Sequence, residues 1–314
     1  MPRNRLIALA CLAAVCVVLY MTLAARAPWS FLLPFRGTKL LALILVATSI
    51  STATLLFQTI TQNRILTPSI MGFDALYVLI FTLAVFFLGS QAVMRLPPQM
   101  VFLVTCGTLV LAALLLFGLL LRRNAKDLFQ LILTGIIFGV LFRSLTSFLQ
   151  RMIDPNEFAT IQVASYARFN DIETDLLIIA APITVIALVL AWRRRDALDV
   201  IALGPDLATN LGEPPLPRQW EVLILIAVLV SVSTALVGPV AFLGLLVVSV
   251  TYVLVPSPHH RHLLPAAALV SISVLVGGQT ILERGLSLST PLSVIVDVLG
   301  GVVFLFLILK GKRI

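Results

Sequence analysis

Ten apolar runs, separated by short connectors, constrain this chain more than any other feature. They are Leu6–Ala25, Leu40–Ile60, Ile70–Leu88, Met100–Leu121, Leu128–Leu149, Leu176–Trp192, Val222–Val237, Val240–Val255, Leu263–Leu282 and Leu292–Leu309. A hydrocarbon core about 30 Å thick is crossed by about 20 helical residues. Several of the runs are shorter than that, and Gly238-Pro239 leaves almost no connector between the seventh and the eighth. Only 11% of the 314 residues are charged and 60% are hydrophobic, against about a quarter charged in an ordinary soluble domain. A water-facing surface cannot be covered with so few polar side chains. The expectation is an all-α integral membrane protein of about ten transmembrane helices, forming one transmembrane domain over residues 1–314.

The basic residues set a topology. With both termini in the cytoplasm, 14 Lys and Arg fall inside, among them Arg3, Arg5, Arg64, Arg122, Arg193, Arg218 and Arg261. Seven fall outside, namely Arg26, Arg36, Lys39, Arg95, Arg151, Arg168 and Arg284. That bias follows the positive-inside rule, so the net charge of +8 is a membrane signal and not a nucleic-acid patch. Arg3 and Arg5 precede the first run, and Ala25-Arg26-Ala27 imitates a cleavage site. At 20 residues the run exceeds the roughly 7–15 of a signal core, so an uncleaved first helix is expected.

Two connectors stand out. Residues 150–175 lie outside and carry Asp154, Glu157, Asp171, Glu173 and Asp175, which suits a lid or docking surface as well as a plain solvated crossover. Residues 193–221 lie inside and contain a helix-like segment from Gly204 to Gly212, bracketed by glycine and followed by Pro214-Pro215-Leu216-Pro217. A connector stiffened in this way can transmit force.

Covalent chemistry has no visible basis here. No HExxH, GxSxG or phosphate loop occurs, and Cys11, Cys16 and Cys106 all sit inside apolar runs. His259, His260 and His262 resemble metal ligands in type, but no carboxylate or thiolate lies near them in sequence, so no metal site is assigned. The second run is unusual: Thr48, Ser49, Ser51, Thr52, Thr54, Gln58 and Thr59 make it polar enough to belong at the centre of a bundle, either lining a pathway, with Gln58 a candidate, or only packed there. Gly135 and Gly139 share one helical face and point to close helix packing. Arg143, inside the fifth run, would line the outer half of a pathway with Asp297 as its partner, or snorkel to the interface six residues on.

From Gln58 to Gly72 the chain reads Gln-Thr-Ile-Thr-Gln-Asn-Arg-Ile-Leu-Thr-Pro-Ser-Ile-Met-Gly. This resembles the Q-x-x-x-x-N-P-L-A-x-P-x-x-x-G hallmark of the permeases of ATP-binding-cassette importers for iron–siderophore complexes and vitamin B12. Matches continue in order through Thr134-Gly135, Gly139, the Gly204/Ala208/Gly212 segment, residues 238–245, His260-Arg261, Pro265, Pro291 and Gly300-Gly301. They cover about residues 30–310. The family also has ten helices per subunit. Two departures, Asn63-Arg64-Ile65 for Asn-Pro-Leu and Val248-Ser249 for Pro-His, together with residues 154–158, resemble the iron-chelate subgroup that works with a second, non-identical permease.

The resemblance implies a permease subunit, not an enzyme, in the bacterial cytoplasmic membrane, importing a ferric siderophore, of which a catecholate is the first guess, or a corrinoid. Its partners would be two ATPase subunits, a second permease (heterodimer favoured over homodimer) and a periplasmic or lipid-anchored binding protein. ATP and Mg would sit on the ATPase and no cofactor on this chain. By residue-wise match, Gly204, Asp206, Ala208 and Gly212 would contact the ATPase, Asn63, Ile65, Leu128 and Phe129 would form a cytoplasmic gate, and Arg36, Lys39 and Arg284 would receive acidic residues of the binding protein. Juxtamembrane charge is the plain alternative for those three cations. An ion-coupled secondary transporter would need intramembrane acids, for which only Asp297 and Asp74 qualify.

Overall fold

The computed structural model describes residues 2–25, 28–123, 128–169, 172–285 and 292–309, and the regular structure among them is helical. Seven helices are long and apolar enough to cross a membrane: α1 (Pro2–Thr22), α2 (Trp29–Thr61), α5 (Pro98–Arg123), α6 (Leu128–Gln150), α8 (Thr174–Arg193), α11 (Pro215–Val237) and α13 (His260–Thr280). Three shorter apolar helices, α3 (Phe73–Leu88), α12 (Leu243–Leu254) and α14 (Leu292–Leu309), bring the bundle to the ten expected from the apolar runs. The connectors add α4 (Ser90–Arg95) and α7 (Pro155–Ala164) at one end of the bundle, and α9 (Arg195–Ile201) and α10 (Pro205–Asn210) at the other.

The polar second run is indeed central. Every residue from Ser51 to Ile60 is buried, and α2 packs against α11, α12 and α13. Its hydroxyls bond to carbonyls one turn back, Ser51 to Ala47 at 2.7 Å and Thr61 to Phe57 at 2.7 Å, which removes their cost in an apolar setting. The helix is longer than its apolar run: it begins at Trp29 and continues through Pro34, Arg36 and Lys39 for 33 residues. It ends at Gln62, whose φ of 52° is left-handed, while the Asn63 N–H reaches back to the Gln58 carbonyl at 3.2 Å. That six-to-one bond satisfies a carbonyl the helix would otherwise leave free.

Gly135 and Gly139 on α6 do mark a close approach. They receive the 3-10 turn Pro68–Met71 and Gly72, through which the chain enters α3. Residues 150–175 are tied down at several points. Asp154 caps α7 by accepting from the Asn156 N–H at 2.9 Å, Glu157 accepts from the Ser90 N–H at 3.2 Å, and the Arg168 N–H donates to the Val237 carbonyl at 2.7 Å.

Candidate functional site

The 193–221 connector is compact. Gly204, with φ of 104°, joins α9 to α10 and faces the end of α2: a Cβ there would lie 3.0 Å from Nε2 of Gln62. Only glycine meets both the backbone and the space requirement. Ala208 is fully buried, Asp206 is exposed in the first turn of α10, and Gly212 turns the chain with φ of 83°. Three leucines four residues apart, Leu203, Leu207 and Leu211, are 55%, 52% and 63% exposed. This spacing puts them on one side of the α10 segment, an apolar row on the connector between two membrane-crossing helices. The exit is braced by ion pairs of Arg218 with Glu213 and Glu221, the latter at 2.8 Å, and of Arg194 with Glu221 at 3.1 Å.

Asp199 on α9 is a residue the sequence reading did not single out. The histidines seemed to lack a carboxylate, yet the fold brings one from 61 residues away. Its Oδ1 accepts from the His260 backbone N–H at 2.7 Å and from Nδ1 of the same residue at 2.6 Å, and Oδ2 lies 3.1 Å from His259 Nδ1. Partial burial alone would raise the Asp199 carboxyl, but the bonds from the His260 backbone and ring and from His259 outweigh it and hold the group below the usual carboxylate range. Among the described residues no cluster has the composition of a metal site. No spacing rule could have paired Asp199 with His260.

Of the gate residues, Asn63 and Ile65 follow α2 directly and are exposed, and the Asn63 side chain accepts from the Ile65 N–H at 3.0 Å. Leu128 and Phe129 lie outside the residues whose side chains are described. Gln58 is 2% exposed, and among the described residues both polar atoms of its amide lack a partner. Arg143 is exposed on α6. Among the described residues no ion pair joins it to Asp297, which corrects that expectation: Asp297 accepts from the Phe242 N–H at 3.0 Å and so caps the start of α12. Asp74 lies in the first turn of α3, beside the Ser69 hydroxyl.

The three docking cations differ. Arg36 is 2% exposed, and its guanidinium donates to the carbonyls of Tyr20, Met21, Leu23 and Ala24 at 2.7–3.2 Å. It therefore ties the end of α1 to α2 and is not displayed to a partner, a correction to the expectation from resemblance. Lys39 is half-buried, with its ammonium 4.7 Å from the Phe35 ring centre in a groove that Glu173 also lines. Arg284 is half-buried beside Glu283 at 3.5 Å.

Residues 6–310 match the FecCD transport family. The chain belongs to that family. FecCD permeases are multi-pass proteins of the cytoplasmic membrane and form the channel of ABC importers, whose ATPase is a separate chain. Among curated proteins, the FecCD member described here is 42% identical over 285 residues to the petrobactin import system permease protein YclO of Bacillus subtilis, covering 91% of this chain and 90% of that one. It is 32% identical to the petrobactin import system permease protein FatC of Bacillus anthracis, over 89% of this chain and 79% of that one. Its fold matches a solved inward-facing structure of a metal-chelate type ABC transporter with a TM-score of 0.83 at 22% identity, over 99% of this chain and all of that one.

Proposed function

We propose that the chain is one of two non-identical permeases in an importer of ferric siderophore, that its α9–α10 end faces the cytoplasm, and that two ATPase subunits drive it there. The row Leu203, Leu207 and Leu211 carries this reading: three exposed leucines on a stiff connector invite burial in a protein groove. Gly204, Asp206, Ala208 and Gly212 shape that connector, and the chain itself holds no cofactor, with ATP and Mg on the ATPase. Asn63 and Ile65, with Leu128 and Phe129 by family match, close the inner mouth by excluding water. Lys39 and Arg284 steer a periplasmic or lipid-anchored binding protein, a role in which charges govern encounter more than affinity. The names of the two relatives point to ferric petrobactin as the chelate to test first; catecholates as a class are the wider proposal.

The test is reconstitution with the ATPase, the second permease and the binding protein in liposomes. Ferric petrobactin should stimulate ATP hydrolysis and enter the lumen, and Leu207→Glu should abolish uptake while the permease stays folded. Uptake driven by an ion gradient without ATP, or stimulation by a corrinoid alone, would overturn the proposal.

A further inference from the structure

His260 is 2% exposed and both nitrogens of its ring are engaged, each by a different part of the molecule. Nδ1 lies 2.6 Å from Asp199 Oδ1 on α9. Nε2 lies 2.7 Å from the Thr59 hydroxyl in the last turn of α2. An ionised carboxylate only accepts, so Nδ1 carries a proton toward Asp199, and the other nitrogen is left to the hydroxyl. The Thr59 hydroxyl also lies 2.8 Å from the Leu55 carbonyl; it has one proton, so it donates to Leu55 when a protonated ring donates through Nε2, and to Nε2 when the ring is neutral.

Capping alone does not account for this arrangement. The bond from the His260 N–H to Asp199 satisfies the start of α13, and the Nδ1 bond reinforces it, but neither needs the contact to Thr59. That contact makes one rigid ring span three elements: α9, the start of α13 and the end of α2. Thr59 lies four residues before Asn63 and six before Ile65. A second tie runs in parallel, since the Gln62 amide abuts Gly204 at the α9–α10 junction.

We propose that His260 is a positioning residue for transport, carrying displacement of the α9–α10 connector into the last turn of α2 through Asp199 on one ring nitrogen and Thr59 on the other. This rests on the reading of that connector as the ATPase contact. Motion at the leucine row moves Asp199, the ring follows because its bonds are short and its surroundings are packed, and the Thr59 turn follows the ring.

The experiment uses the reconstituted complex with ferric petrobactin as the probe, in an Arg64→Cys background lacking Cys11, Cys16 and Cys106; Arg64 is exposed just beyond α2 and is not among the gate residues. It reads uptake per ATP hydrolysed and the nucleotide-dependent change in labelling of residue 64. Thr59→Val removes the hydroxyl at nearly constant shape. His260→Asn places an amide near Nδ1 and so keeps Asp199 while losing Thr59. Both should lower uptake per ATP about tenfold, within the range of coupling between linked sites, and abolish the labelling change while the complex still assembles. Thr59→Ser should restore both readouts, which a purely structural role for the methyl would not allow. Full coupling in Thr59→Val and His260→Asn, beside an inactive Leu207→Glu, overturns the relay and leaves the connector as the ATPase contact. An active Leu207→Glu overturns the connector reading itself, and the relay with it.

Discussion

Gly72 and Gly139 meet backbone to backbone: a Cβ on Gly72 would lie 2.8 Å from the Gly139 Cα, and one on Gly139 would lie 3.2 Å from the Gly72 Cα. Gly72 also has φ of 89°. Gly139→Ala should therefore destabilise by about 1–3 kcal/mol through overpacking. Gly72→Ala should cost more, because a strained backbone adds to the clash. Gly301→Ala, with nothing within 4 Å, is the control and should melt with the parent. Thermal unfolding in one detergent ranks the three, and an equal midpoint for all would refute the contact.

Arg36 should behave as a structural residue and Lys39 as a surface one. Arg36→Gln leaves four carbonyls without a charged donor, at a cost of about 2–3 kcal/mol by the usual worth of bonds to charged groups. Lys39→Glu should stay within about 0.5 kcal/mol of the parent, yet weaken capture of the binding protein at low salt. Unfolding midpoints and a pull-down in nanodiscs separate the two. An Arg36→Gln protein as stable as the parent would return that residue to the docking surface.

Arg143→Gln should reduce uptake of an anionic chelate at unchanged assembly, since a cation within a span is kept where a watery cavity or an anion receives it. Equal uptake at equal expression would leave snorkelling as the account. Asp297 provides a contrast. Asp297→Asn keeps an acceptor for the Phe242 N–H and should be tolerated, whereas Asp297→Ala removes the cap and should cost about 1 kcal/mol.

The ten apolar runs predicted the helices closely wherever hydrophobicity alone decides the fold. The sixth run, Leu176–Trp192, is contained in α8, Thr174–Arg193. Boundaries failed where polar residues lie within a helix, as at Arg36 and Lys39, because a guanidinium paid back by carbonyls costs the helix nothing that composition reveals. The glycine pair on α6 was legible because a fixed spacing encodes a face. The Asp199–His260–Thr59 chain was not, since its members are 61 and 201 residues apart and polar types alone carry no partner label. Likewise Asp297 looked like a partner for Arg143 until the start of α12 came to lie against it.

A helix of 33 residues is about 50 Å long, well beyond the hydrocarbon thickness. α2 bears the Arg36 clasp and the Lys39 groove near one end, and Thr59 and Gln62 at the other. A rigid member of that length, turning about its packed middle, would act as a seesaw. Tilting it by about 5° swings each tip about 2 Å, in opposite senses. Nothing inside the membrane need unwind for one mouth of the channel to register a push at the other.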